Sequence, residues 1–306
     1  MIDVVDNGTW LQLRSQEIDH GMSGGPVVDE SQGAVIGMVS WGKTALERKR
    51  NADTSLALSI EAIRALCPEL PAPGKIANPF GQRGRIEDPA HYFARQPITR
   101  EVLDELRKRQ SVSIVGETQS GKSSLLWYLT QMGPQLLNLP AHDFAYFDLQ
   151  LVHTEKDFFA YLCEKLGVVT SRGFRLVQAL RGRHIFLCLD EIEKMSWKGF
   201  SPDIRSELRG LAEGSSAPLT LVIASRSPLS RIFPDSPEMT SPLAGLCNQL
   251  TFQPFTHKEA SELVRFRLNG TGHSLPDDVV EAAWRESGGQ AMALQKALHD
   301  AFEAHG

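Results

Sequence analysis

The sequence predicts a multidomain chain: an N-terminal all-β half-barrel, then an α/β domain on a parallel sheet, then a small α-helical lid. Three observations predict it. Residues 1–66 hold short apolar runs bounded by Gly, Asp or Ser, among them Trp10-Leu11-Gln12-Leu13, Pro26-Val27-Val28 and 34–39. Short antiparallel strands look like that. From Thr99 onward, apolar strands at Ser111–Val115, Phe144–Leu149, His184–Leu189 and Leu219–Ala224 alternate with amphipathic stretches. Such alternation implies a parallel sheet with crossover helices. After Phe255 the pattern is helical: Lys258–Leu268, Asp277–Ser287 and Ala291–Ala304. Between the first two textures, Pro68, Pro71 and Pro73 mark an extended spacer. The expected divisions are 1–68, a linker and lead-in segment at 69–98, a core at 99–256 and a lid at 257–306.

Composition narrows the possible functions. The chain has 306 residues, 42% hydrophobic and 23% charged, which excludes wholesale disorder, collagen and coiled coil. A net charge of −5 gives no broadly basic surface, so no nucleic-acid partner is expected. No apolar run approaches the ~18 residues of a membrane span. The N-terminus lacks the basic region and apolar core of a secretory signal. Four cysteines, scattered and without a Cys-x-x-Cys, read as reduced thiols in a cytoplasmic protein.

The sharpest motif is Gly116-Glu117-Thr118-Gln119-Ser120-Gly121-Lys122-Ser123, which fits G-x-x-x-x-G-K-[ST]. A buried strand precedes it, and Ser124-Leu125-Leu126-Trp127 opens a helix after it. The chemistry needs that context: glycines let backbone N–H groups turn around phosphate oxygens, and the helix N-terminus adds partial positive charge. Lys122 is expected on the β- and γ-phosphates of ATP, and the Ser123 hydroxyl on Mg²⁺. The simpler reading is a glycine-rich turn before a helix. The run from His184 to Leu189 ends in Asp190-Glu191. Asp190 is expected to hold Mg²⁺, and Glu191 to orient or deprotonate the attacking water. Ser225-Arg226 ends the next strand, where an arginine sits beside the γ-phosphate or is simply a surface cation. Asp148 reads as a local cap.

The stretch from Asn78 to the C-terminus resembles the STAND-class signal-transduction ATPases of bacteria, relatives of the AAA+ P-loop NTPases. The likeness runs through Asn78-Pro79-Phe80, Tyr92-Phe93-Ala94-Arg95, both nucleotide motifs, Ala224-Ser225-Arg226, Pro254-Phe255-Thr256 with Glu259-Ala260, and Ser287-Gly288-Gly289. It implies that Arg95 lies near the nucleotide and that Arg226 contacts phosphate. The family usually reads Phe-Gly-Arg-Glu where this chain has Phe93-Ala94-Arg95-Gln96. It usually places His-Pro after the double glycine, as a latch over bound ADP, where this chain has Gln290-Ala291.

A second motif, Gly21-Met22-Ser23-Gly24-Gly25-Pro26, with Val39-Ser40-Trp41-Gly42 beyond it, resembles the nucleophile loop of trypsin-like serine proteases. The resemblance implies an oxyanion hole from the N–H groups of Gly21 and Ser23, with Ser23 attacking an acyl carbon. That family carries its His and Asp ahead of the Ser, yet only 22 residues precede Ser23 here, and His20 shares its loop. Losing a triad histidine costs on the order of 10⁶ in kcat. Residues 1–68 are therefore read as roughly the last third of a protease domain cut short upstream. Ser23 becomes a vestigial or conditional nucleophile, and this chain alone is expected to have no peptidase activity.

The resulting expectation is an ATP-binding, ATP-hydrolysing signalling switch joined to a protease-like remnant, with ATP/ADP, Mg²⁺ and a protein partner or a second copy as partners. Some members of the resembled class act in defence against phage. Two alternatives stay open: a serine endopeptidase regulated by the ATPase, with His and Asp supplied from outside this chain, or a non-enzymatic nucleotide-binding scaffold.

Overall fold

The computed structural model describes residues 3–6, 10–14, 24–29, 34–41, 54–66, 77–82, 84–234, 243–269, 271 and 273–305. The chain divides into two compact units. One comprises 1–79, 264–276 and 302–306, and the other 80–263 and 277–301.

In the first unit, β1 (Asp3–Asp6), β2 (Trp10–Arg14), β3 (Pro26–Asp29), β4 (Ala34–Trp41) and β5 (Thr54–Ser59) form an antiparallel sheet in the order β1-β2-β5-β4-β3. Helix α1 (Ile60–Leu66) follows. Gly24, at φ 87°, donates to the Val39 carbonyl, and the Val39 N–H donates to Gly25, fixing the β3–β4 hairpin. Val27, Val39 and Ala57 are buried while Val28 and Met38 are exposed, the two-residue alternation of a sheet with one covered face.

The second unit is built on five parallel strands: β6 (Val112–Val115), β7 (Phe144–Asp148), β8 (Ile185–Asp190), β9 (Leu219–Ser225) and β10 (Asn248–Thr251). Their order is β10-β6-β9-β8-β7. Helices α2 (Gln96–Arg107), α3 (Lys122–Leu137), α4 (Glu155–Lys165), α5 (Gly173–Ala179), α6 (Asp203–Ala212) and α7 (Leu229–Ile232) connect or flank them. Helices α8 (His257–Leu268), α9 (Asp277–Ser287) and α10 (Ala291–His305) follow β10. Strands β8 and β9 are buried along their whole length, as central parallel strands covered on both faces must be. Leu187, Leu189, Leu221 and Ile223 enter one apolar core with Phe147, Phe158 and Leu162. Phe186, Cys188, Val222 and Ala224 enter the other with Leu106, Leu125 and Leu129.

Helix α2 begins at Gln96 with Pro97 in its first turn, where the ring's fixed φ suits a helix start. Strand β10 was not anticipated: Asn248, Gln249 and Thr251 are exposed, so no apolar run announces it, and its pairing with β6 makes it a strand.

Candidate functional site

The order of the sheet sets the site. Strand β9 lies between β6 and β8, so the chain leaving β6 and the acids ending β8 flank the end of β9. Open parallel sheets bind ligands at the carboxyl ends of such strands.

Residue Gly116 leaves β6 with its N–H donated to the Ser225 carbonyl at 3.1 Å. A Cβ there would lie 2.9 Å from both the Cβ and the carbonyl oxygen of Phe252, so glycine alone fits. Gln119 (φ 61°) and Gly121 (φ 105°) then take left-handed backbone. Helix α3 starts after Gly121 with no side-chain cap and no acidic residue in its first turn. Its leading N–H groups therefore lack intrahelical acceptors, which suits an anion. Glu117, Thr118 and Gln119 are exposed, and Ser120 and Lys122 are buried. The Lys122 ammonium donates to the carbonyls of Gly116 and Glu117, both at 2.6 Å. Burial lowers its pKa, against the upward pull of Glu193, Asp190 and Glu191.

Strand β8 delivers Asp190, which is buried. Its Oδ2 accepts from the Tyr146 hydroxyl at 2.7 Å and its Oδ1 from the Glu191 N–H at 3.0 Å. Burial first, then the Asp190 charge, holds the Tyr146 hydroxyl protonated far above the usual range. The chain turns at Glu191 through left-handed backbone (φ 54°, ψ 48°). That turn separates the neighbouring acids. Glu191 meets the Arg226 guanidinium at 3.3 Å. Glu193 accepts the Arg226 N–H on Oε1, while its Oε2 is buried without a partner among the described residues. Of the charges acting on Lys122, that of Glu193 is the strongest.

Other expected residues have different surroundings. The Ser124 hydroxyl is buried and accepts from the Ile86 N–H at 3.0 Å, tying α3 to the lead-in segment. Arg95, expected near the nucleotide, has all three guanidinium nitrogens donating to protein acceptors. They are the Glu259 carboxylate and the carbonyls of Gln253 and Pro254, and the group also stacks 4.4 Å from the Phe255 ring. Asp148 caps its own turn through the Gln150 N–H at 2.9 Å. Gln290, where the resembled class has histidine, donates to the carboxylate of Glu117 on the phosphate loop. Gly21 and Ser23 lie outside the described residues.

The donor set suits a hard divalent cation. Each Asp190 oxygen accepts one hydrogen bond and keeps a lone pair, and the part-exposed Ser123 follows Lys122 in the first turn of α3. Among the described residues, no group of three or more His, Cys, Asp or Glu side chains could hold a metal without other ligands. No helix there is long and apolar enough to cross a membrane.

The sequence model of the Novel STAND NTPase 1 family matches residues 82–305. The chain belongs to that family. No curated protein matches it. Among solved structures, this NTPase is similar to a Walker-type ATPase of Pyrococcus abyssi, with TM-score 0.51 and 14% identity over 74% of this chain and 75% of that one. It is also similar to Cdc6p of Pyrobaculum aerophilum, with TM-score 0.50 and 16% identity over 70% of this chain and 64% of that one. At these identities the likeness is one of fold: a parallel sheet carrying a phosphate loop. Three contributors to the site of this NTPase escaped the sequence reading, namely Tyr146, Glu193 and Phe252. Glu193 alone left a trace, as a second acid two places beyond Glu191.

Proposed function

We propose that this Novel STAND NTPase binds ATP with Mg²⁺ on the 116–123 loop and hydrolyses it as a slow switch. One observation carries the reading: the uncapped first turn of α3 opens on the buried Lys122 ammonium, which feels the carboxylates of Glu193, Asp190 and Glu191 on and just after the end of β8. An ammonium amid acids beside free amides suits a triphosphate bridged to a cation. Gly116 through Ser124 form the cradle, and Lys122 would exchange its two carbonyl acceptors for phosphate oxygens. Ser123 and Asp190 would hold Mg²⁺, which when bound neutralises charge on the β- and γ-oxygens. Arg226 reports the γ-phosphate. Arg95 supports the site through the segment after β10.

For the residue that activates water, Glu191 and Glu193 compete. Glu191 is paired with Arg226, whereas Glu193 keeps an unpartnered buried oxygen, so the geometry favours Glu193. Single-turnover hydrolysis of labelled ATP by Glu191→Gln and Glu193→Gln separates the two. Whichever variant binds ATP normally and fails to hydrolyse it names the base, and a Lys122→Ala protein that binds ATP like the parent sinks the whole assignment.

The finer reading is a cytoplasmic signalling switch, acting through a protein partner or a second copy, of the kind used in phage defence. The antiparallel sheet at 3–59 supports a protease-like module carrying Gly21 and Ser23, read as a remnant. A serine-directed fluorophosphonate probe decides between remnant and enzyme: labelling abolished by Ser23→Ala would establish a conditional peptidase. ATP binding with no turnover under any condition would establish the scaffold.

A further inference from the structure

Phe144 and Tyr146 stand two places apart on the face of β7 that packs with α3. Phe144 is wholly apolar and stacks on Phe186 of β8 at 4.8 Å. Tyr146 carries a hydroxyl into the same face and donates it across the sheet to Asp190 Oδ2 at 2.7 Å. The terminal torsion of an aspartate is soft. Here one hydrogen bond falls on each carboxylate oxygen, from the Tyr146 hydroxyl and from the Glu191 N–H, and together they fix its plane. The Glu191 bond comes from the next residue in the chain. The Tyr146 bond comes from another strand, so it can be made or lost without refolding the turn that carries Glu191.

The Tyr146 ring is itself held. Trp127 meets it edge-on at 5.3 Å, and the Arg85 guanidinium lies 4.7 Å from its centroid and 4.5 Å from that of Trp127. Arg85 is fixed in turn by Glu87, whose carboxylate accepts from its Nη2 at 2.9 Å. The segment around it is clipped to the start of α3. The Ile86 N–H donates to the Ser124 hydroxyl at 3.0 Å, and the Trp127 indole donates to the Glu87 carbonyl at 2.8 Å. These residues follow shortly after Phe80, where the chain enters the second unit. A continuous set of contacts therefore leads from the lead-in segment to Asp190: guanidinium on ring, then hydroxyl on carboxylate.

We propose that Tyr146 is a positioning residue for the cation site and that the lead-in segment regulates it. Residues 85–87, seated on α3, hold the Tyr146 hydroxyl against Asp190 and so raise the affinity for ATP with Mg²⁺. This deepens the ATP reading and rests on Asp190 holding the cation. Groups that orient a metal-binding carboxylate are worth about 10–100-fold in metal affinity.

The test uses the full chain and the non-hydrolysable ATP analogue AMP-PNP, titrated calorimetrically in EDTA and again in saturating Mg²⁺. The ratio of the two affinities is the gain that the cation confers. Tyr146→Phe keeps the ring and its stacking and removes the hydroxyl. It should bind the analogue in EDTA like the parent and show a gain reduced about tenfold. A ring that served packing alone would leave the gain untouched, and that result overturns the proposal. Arg85→Gln should lower the gain a few-fold in the parent and no further in the Tyr146→Phe background, the mark of two residues acting in series. An Arg85→Gln effect that persists undiminished there overturns the role of the lead-in segment. Asp190→Asn separates this inference from the reading beneath it. If it abolishes the gain while Tyr146→Phe is indifferent, the cation site stands and the inference falls. If Asp190→Asn keeps the gain, the assignment of the cation site falls and takes the inference with it.

Discussion

The loop at 116–123 and the loop at 21–26 both set a serine among glycines, yet they draw on the fold differently. Around the first, groups arrive from four separate strand ends. β6 delivers the loop, β9 the Ser225 carbonyl and Arg226, β8 the acids, and the chain after β10 the Phe252 wall. Around the second, the described support is a pair of main-chain bonds, Gly24 to Val39 and Val39 to Gly25, which shape a hairpin. A short motif becomes a site when the tertiary fold brings complementary charges to it from elsewhere in the chain.

Experiments can break that contrast, and the largest effects should come from the first loop. Lys122→Ala should weaken ATP binding by about a hundredfold, the loss of charge-assisted bonds worth roughly 1.5–3 kcal/mol each, measured by isothermal titration. Glu193→Gln should leave binding intact and slow hydrolysis about 10²–10⁴-fold, with a smaller change for Glu191→Gln. Arg95→Ala should destabilise the second unit by about 3 kcal/mol in urea unfolding, because it strands Glu259 in a largely buried pair. Burial raises the Glu259 pKa, but bonds from Arg95 and Thr256 outweigh it and leave the pKa lowered. Its stabilisation is therefore complete above the ordinary glutamate range and fades as pH falls through the depressed folded value, a dependence that Glu259→Gln should flatten. Gly289→Ala should cost about 1–3 kcal/mol, since its φ is 74° and a Cβ would lie 2.2 Å from the Phe255 carbonyl oxygen. At the second loop, Ser23→Ala should change neither ATP hydrolysis nor fluorophosphonate labelling. A measurable effect there would erase the contrast.

Local strings carried the loop, Asp190 and the four buried strands, because apolar runs and glycine spacing are set by neighbours in sequence. Several features had no such signature. Strand β10 is polar and exists only through its pairing with β6. Tyr146 reads as one more aromatic in an apolar strand until the sheet places its hydroxyl on Asp190. The Arg95 guanidinium finds a carboxylate 164 positions away, a distance no spacing rule covers. The split between Glu191 and Glu193 depends on one left-handed turn that an Asp-Glu dipeptide does not announce.

The single hydrogen bond from the Gly116 amide to the Ser225 carbonyl has a mechanical consequence. Arg226 is the very next residue, so a pull on its side chain reaches the front of the phosphate loop through one peptide unit. The two strand ends then behave as a short lever with a shared pivot, and force applied at one arrives at the other without passing through the lid.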